Sequence, residues 1–297
     1  MNHRIAAAIG IGLVSTGVLV VGAAAQPPTD AAWRQVGAIL QSQPVDAGGY
    51  VRYNLPRADL RVRVGDVSIT PAFALTSWAG FMGSPDSATA MGDLVVTEHE
   101  LPLVLAELAR QGIDVTAVHN HLVGEAPRVM YIHFHAMGAA ADIARRLDAA
   151  IKLTATPRPV AAPSGGALAI DSAKVFQALG KHGRASGALA QVSFNFVPEP
   201  VTMHGRTVVP GLGYGSPLNV VQLSPNRAIA TGDFAVTARQ LQPLLRALAQ
   251  GGITATAVHS HMTGEAPAIY FVHFWGDAPL PVLLRGLRAA VDAADHG

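Results

Sequence analysis

Laid on itself with an offset of 140 residues, the chain repeats. Gly92-Asp93-Leu94-Val95-Val96-Thr97 falls on Gly232-Asp233-Phe234-Ala235-Val236-Thr237, and Thr116-Ala117-Val118-His119-Asn120-His121 falls on Thr256-Ala257-Val258-His259-Ser260-His261. Between Gly92 and His121, 15 of 30 aligned positions are identical without a gap, so one ancestral unit occurs twice. A period this long, present twice, predicts tandem domains rather than a solenoid. The expected organisation is a first repeat over 29–151, a Pro/Gly linker over 152–169 containing Pro157, Pro159, Pro163, Gly165 and Gly166, and a second repeat over 170–290.

Ahead of the repeats, residues 1–25 read as a signal peptide: Arg4 in a short polar start, an apolar stretch from Ile5 to Gly22, and Ala23-Ala24-Ala25 as a small-residue cleavage site. An uncleaved membrane anchor is the rival reading of the same stretch. Cleavage predicts a periplasmic or secreted chain that makes no membrane contact once the leader is gone. With 21 Lys+Arg against 20 Asp+Glu there is no basic stripe, which argues against nucleic acid as a partner. The chain has no Cys, so disulfides, thiolate ligands and Cys nucleophiles are excluded, and any metal must be held by His, carboxylate or carbonyl.

Within each unit the patterning alternates between helix and strand. Trp33, Val36, Ile39 and Leu40 share one helical face, and Leu60 to Val64 alternates as a strand. Thr97-Glu98-His99-Glu100 has the form of a capping box, and Thr237-Ala238-Arg239-Gln240 repeats it with Gln. A helix with Leu101, Leu105 and Leu108 on one face follows, then strands over 113–121 and 128–135 joined by a turn over 122–127, then a helix over about 139–151. The expected class is α+β: two tandem repeats, each a largely antiparallel sheet with helices on one face around a β-α-β-β-α core.

The hairpin carries the chemistry. Side chains alternate along a strand, so His119 and His121 share a face, and a turn centred near residue 126 would place His133 directly across from His119. Three imidazoles then converge, the donor set of an open zinc site, with Glu125 in the turn placed as a fourth ligand or to move protons. The second repeat supplies His259, His261, His273 and Glu265, the last read as a further ligand. Seven of the twelve histidines fall within 119–135 and 259–275. A hydrogen-bonded structural network is the bland alternative for any one of them. His135 ranks lower because Trp275 takes its place in the second repeat, and Asp93 and Asp233, each after a Gly, read as turn residues at strand starts. No P-loop or G-x-G-x-x-G is present.

The spacing H-x-H-x3-E matches the start of the cupin metal motif, but a capped helix precedes it here rather than a strand. The ligand geometry is closer to that of acetolactate decarboxylase, an analogy and not a family match. As a whole the sequence resembles the LppY/LpqO family of bacterial exported proteins, defined by a domain of unknown function. Ala58-Asp59-Leu60, Ser77-Trp78, Met91 to Thr97, Thr116 to Leu122, Pro127 and His133 carry the resemblance. It implies export but no reaction. Two functions are expected from the residues: a divalent-metal-binding protein, with zinc first and copper or another transition metal as alternatives, or a mononuclear metal-dependent hydrolase or lyase acting on a small molecule or envelope component, with Glu125 as general acid/base. Of the two copies, the first is favoured as the working one, since it keeps Asn120 and His135.

Overall fold

The computed structural model describes residues 30–160 and 169–296. The leader and part of the linker expected over 152–169 lie outside the described residues. The first repeat runs α1 (Ala31–Leu40), β1 (Pro44–Asp46), β2 (Val51–Pro56), β3 (Arg63–Val64), β4 (Val67–Ser68), β5 (Thr76–Ser84), β6 (Ser87–Thr97), α2 (Leu101–Arg110), β7 (Asp114–His119), β8 (Glu125–Ala126), β9 (Val129–Gly138) and α3 (Ala140–Ile151). The second runs α4 (Ser172–Leu179), β10 (Arg184–Ser186), β11 (Leu189–Phe194), β12 (Val201–Met203), β13 (Arg206–Val208), α5 (Pro210–Gly213), β14 (Ser216–Ser224), β15 (Arg227–Val236), α6 (Ala238–Gln250), β16 (Thr254–His259), β17 (Glu265–Ala266), β18 (Tyr270–Ala278) and α7 (Leu280–His296). Among these, no helix is long and apolar enough to cross a membrane.

Each repeat builds an antiparallel six-stranded sheet, in the orders β1-β2-β5-β6-β9-β7 and β10-β11-β14-β15-β18-β16. Helices cover one face of each. Val36, Leu40, Val104, Leu108, Ile143 and Leu147 pack on the first sheet, and Val175, Leu179, Leu244, Leu248, Leu284 and Leu287 on the second. Both capping boxes form. Thr97 N–H donates to Glu100 at 2.8 Å ahead of α2, and Thr237 and Gln240 make the reciprocal pair at the start of α6.

The opposite faces of the two sheets meet each other, which gives four layers: helices, sheet, sheet, helices. A small three-stranded sheet from each repeat, β4-β3-β8 or β13-β12-β17, reaches across to pack on the other's large sheet. Val62, Val67, Ile69 and Phe73 thus share a core with Ile229 and Trp275, while Met203, Val208 and Leu212 share one with Tyr50 and Met91. Polar contacts are exchanged as well: Asp66 pairs with Arg227 of the second sheet, and Arg206 donates to Ser87 O of the first at 3.1 Å. This reciprocity is the signature of an isologous, two-fold-like junction inside one chain. It also explains why β6 is buried from Ala88 to Val96 with no alternation, since both its faces are covered.

Three expectations need correction. The strand read over Leu60 to Val64 is ordered as β3 only at Arg63–Val64, because the preceding residues form a turn closed by the Leu60 amide on Arg57 O at 3.2 Å. The turn over 122–127 contains a strand of its own, β8, paired with β3. In the hairpin, His119 lies opposite Tyr131 and Ala117 opposite His133, with an irregularity between Val115 and Ala117. The pairing is therefore displaced by two residues from the expected one. A shift of two preserves the face of every side chain, whereas a shift of one would have inverted it.

Candidate metal centre

Strands β7 and β16 are the outer edges of the two large sheets, and they come together at the junction. Thr116 Oγ donates to His261 O at 2.7 Å and Thr256 Oγ to His121 O at 2.6 Å, while the Asn120 amide reaches Thr256 O at 3.1 Å. These bonds satisfy edge carbonyls that would otherwise be left open in the interior. They also bring the two histidine sets into one. His119 stacks on His259 with ring centroids 3.7 Å apart, His121 on His273 at 3.8 Å, and His133 on His261 at 4.0 Å.

The expectation of one three-histidine site in each repeat is thereby corrected. The six histidines form one cluster, and the sets whose donor atoms lie within 4.8 Å of one another are His119, His133 and His259, and His119, His121 and His273. Both draw on both repeats. The reason is tertiary: each hairpin presents its imidazoles to the face that the other repeat covers.

Four of the rings are held by their Nδ1 atoms. His119 Nδ1 faces Asn120 O at 3.3 Å, His259 Nδ1 faces Ser260 O at 2.6 Å, His133 Nδ1 faces Gly92 O at 3.4 Å and His273 Nδ1 faces Gly232 O at 3.3 Å. A carbonyl only accepts, so it favours the tautomer with the proton on Nδ1, which leaves Nε2 with its lone pair. These lone pairs point at one another: His119 Nε2 is 2.9 Å from His133 Nε2, and His259 Nε2 is 2.8 Å from His273 Nε2. Two ring nitrogens that close are held by a proton between them, from an Nε2–H tautomer or an imidazolium, or by a metal ion.

Burial works against the proton. It holds His121 and His133 far below the usual imidazole range, and lowers His119 likewise, with the neighbouring imidazoles adding to the effect. His259 is brought down to about 3 and His261 to about 4, again by burial first. His121 Nε2 and His261 Nδ1 are buried with no hydrogen-bond partner. Neutral imidazoles with inward lone pairs and anchored outer nitrogens are the donor set and backing that a bound transition metal uses.

Two aspartates complete the cluster. Asp93 and Asp233 stand in the middle of β6 and β15, not at their starts, opposite His133 and His273. Asp93 lies 3.4 Å from His121 Nε2 and 3.7 Å from His133 Nδ1, and Asp233 contacts His273 Nδ1. The turn reading failed because Gly-Asp is locally a turn signal, whereas here glycine serves close packing. A Cβ at Gly92 would sit 2.1 Å from Trp78 O, and one at Gly232 2.1 Å from Pro217 O. Asp93 is buried and its carboxyl is pushed well above the usual range, by desolvation and then by the charge of Asp233, with Arg52 pulling the other way. The signal available in the sequence was the exact recurrence of the Gly-Asp pair at the 140-residue offset.

The two glutamates stand apart from the candidate ligand groups. Glu265 accepts the Ile269 amide at 3.1 Å across its own turn. Glu125 is buried in β8, opposite Val64. Tyr131, missed by sequence reasoning, stacks flat on His121 at 3.5 Å, with its hydroxyl donating to Ala74 O at 2.9 Å. His135 is buried two residues beyond His133.

A search of curated proteins gives no match. Among solved structures, EtuB from Clostridium kluyveri aligns over 84% of this chain and 88% of its own at 13% identity, with a TM-score of 0.20, a likeness that carries no argument. A family described as Domain of Unknown Function (DUF1259) matches residues 34–153 and again residues 173–293. The chain belongs to this family and carries its domain twice.

Proposed function

We propose that this is an exported divalent-metal-binding protein whose ion is held jointly by the two repeats. The observation that carries the reading is the pair of Nε2 to Nε2 approaches, 2.9 and 2.8 Å, between imidazoles whose Nδ1 atoms face backbone carbonyls. His119, His121, His133, His259, His261 and His273 are the ligands in this reading. Asp93 and Asp233 stand behind His133 and His273, the place of a backing carboxylate whose negative charge a bound cation would stabilise. Zinc suits an imidazole set, and copper or nickel would bind the same nitrogens by affinity order.

Export rests on the leader read in residues 1–25, with a periplasmic or secreted location following from its cleavage. The resemblance to the LppY/LpqO family supports the same address. A hydrolase or lyase acting on a small molecule through Glu125 gains no observation in its favour, since Glu125 joins neither donor group. Elemental analysis of protein purified from its native compartment tests the reading. Stoichiometric transition metal in the native chain, lost when His119 and His259 are both changed to Ala, is the expected result.

A further inference from the structure

One histidine cluster lies outside the central six, on one side of the junction only. His135 is buried, with 6% of its side chain exposed, and its Nε2 has no hydrogen-bond partner. Its Nδ1 lies 3.7 Å from the exposed carboxylate of Asp114. Against its ring stands that of His204, contributed by the other repeat, with centroids 5.1 Å apart. His204 itself is exposed to solvent.

The sister side of the junction is closed. The position equivalent to His135 is Trp275, since both stand opposite equivalent residues of the neighbouring strand, Met91 and Thr231. Trp275 packs edge-on against Phe73 at 6.2 Å. The counterpart of His204, the residue after Met203 as Gly65 is the residue after Val64, is a glycine. Both sit at positive φ, +57° for Gly65 and +49° for His204. A histidine there adopts a backbone conformation that costs free energy, where glycine does not. The two positions that differ between repeats therefore meet each other, and both are histidine on the same side.

His135 and His133 point to the same face of β9, about 7 Å apart along the strand. His133 is in turn a member of the central cluster. The order from solvent inward is thus Asp114 and His204, then His135, then His133. Among the described residues His135 belongs to no group of three or more donors close enough to cage an ion, so its two imidazoles suit transfer better than storage. A buried metal site needs an entry path.

We propose that His204 and His135 form a port through which the ion passes between solvent and the buried six-histidine cluster. This rests on the metal-binding reading above. A port lowers the barrier in both directions and leaves the end states alone, so it changes loading and release by the same factor and the dissociation constant not at all. The test is stopped-flow uptake of zinc by the apo full-length chain, with stripping of the loaded chain by a chelator and zinc content at equilibrium. His135→Trp and His204→Gly, the residues of the sister side, are compared with wild type, and His135→Gln serves as a milder variant where Trp does not fold. The expected result is at least tenfold slower uptake and equally slower release, with unchanged zinc content. Unchanged rates would overturn the port, and lowered zinc content would overturn it by making the pair a storage site. A wild-type chain that takes up no zinc would overturn the metal-binding reading itself, which separates the two failures.

Discussion

The two repeats share a topology but differ in how their helix caps are anchored and how their halves of the cluster are covered. In the first, Glu100 of the capping box also receives the buried Arg57, whose guanidinium donates to it at 2.8 Å, to Asp59 at 2.8 Å and to Val95 O at 2.7 Å. In the second, Gln240 stands in the same place and donates to Phe196 O at 2.9 Å and Ala294 O at 2.7 Å. Ionic anchoring in one copy is replaced by neutral hydrogen bonding in the other, and the helix that follows begins at Ala238, directly after Thr237, in the second copy but only at Leu101 in the first. At the junction, Asp93 lies beside Trp78, over which Arg52 stacks at 4.0 Å, whereas in the second copy Pro217 of β14 stands next to Leu218, the partner of Gly232. The Asp233 side chain is accordingly 22% exposed against 6% for Asp93. The lesson is that duplication preserved the frame and the six histidines, while the shells around them diverged.

The largest effect should come from the anchor. Arg57→Ala removes the buried guanidinium that holds two half-buried carboxylates and Val95 O and should cost about 3–5 kcal/mol by chemical denaturation, whereas Gln240→Ala should cost about 1–3 kcal/mol. Equal costs would break the contrast between ionic and neutral anchoring. The same contrast has a pH signature. Although burial raises the Glu100 carboxyl, hydrogen bonds from Arg57, Thr97 and Ala155 outweigh it and lower the pKa overall. Its contribution is therefore present at neutral pH and lost as pH falls through and below the usual carboxylate range, a loss that the Glu100→Gln variant should not show.

The cluster tests whether the repeats act together. His119→Ala alone should weaken zinc binding at least ~100-fold, about 2.7 kcal/mol, and so should His259→Ala, measured by competition with a chelator. Loss from only one of them would separate the repeats again. Asp93→Asn and Asp233→Asn, acting behind the ligands, should each weaken binding by roughly 10–100-fold, with zinc content recovered at high metal concentration.

A smaller effect concerns acid. The buried imidazoles have pKa values below the unfolded one, about 3 for His259 and about 4 for His261. The unfolded chain then binds more protons than the native one as pH falls below about 6.5, so apo stability declines from there downward. The Tm of apo protein should fall steadily between pH 6.5 and 4, and saturating zinc should suppress the decline. Flat apo stability over that window would place the imidazoles in contact with solvent. The smallest expected effect is that of Glu125→Gln, which should leave zinc content unchanged; metal lost on that change would return Glu125 to the ligand set.

The sequence by itself determined the duplication, the order of helices and strands, both capping boxes and the six histidines, because each is encoded by residues near one another or by recurrence at a fixed offset. Face assignment was equally local: His119, His121 and His133 share a face by strand alternation, and the displaced pairing left that parity intact. Only the tertiary structure decided what those faces look at. No local pattern says that the uncovered side of one sheet is covered by the other, so two expected triads became one six-histidine cluster, and Asp93 and Asp233 moved from apparent turns to mid-strand positions beside it, Asp93 buried and Asp233 half-buried. The physical reason is that an open imidazole face and two edge strands are unstable alone, and within this chain the surface complementary to them is their own copy.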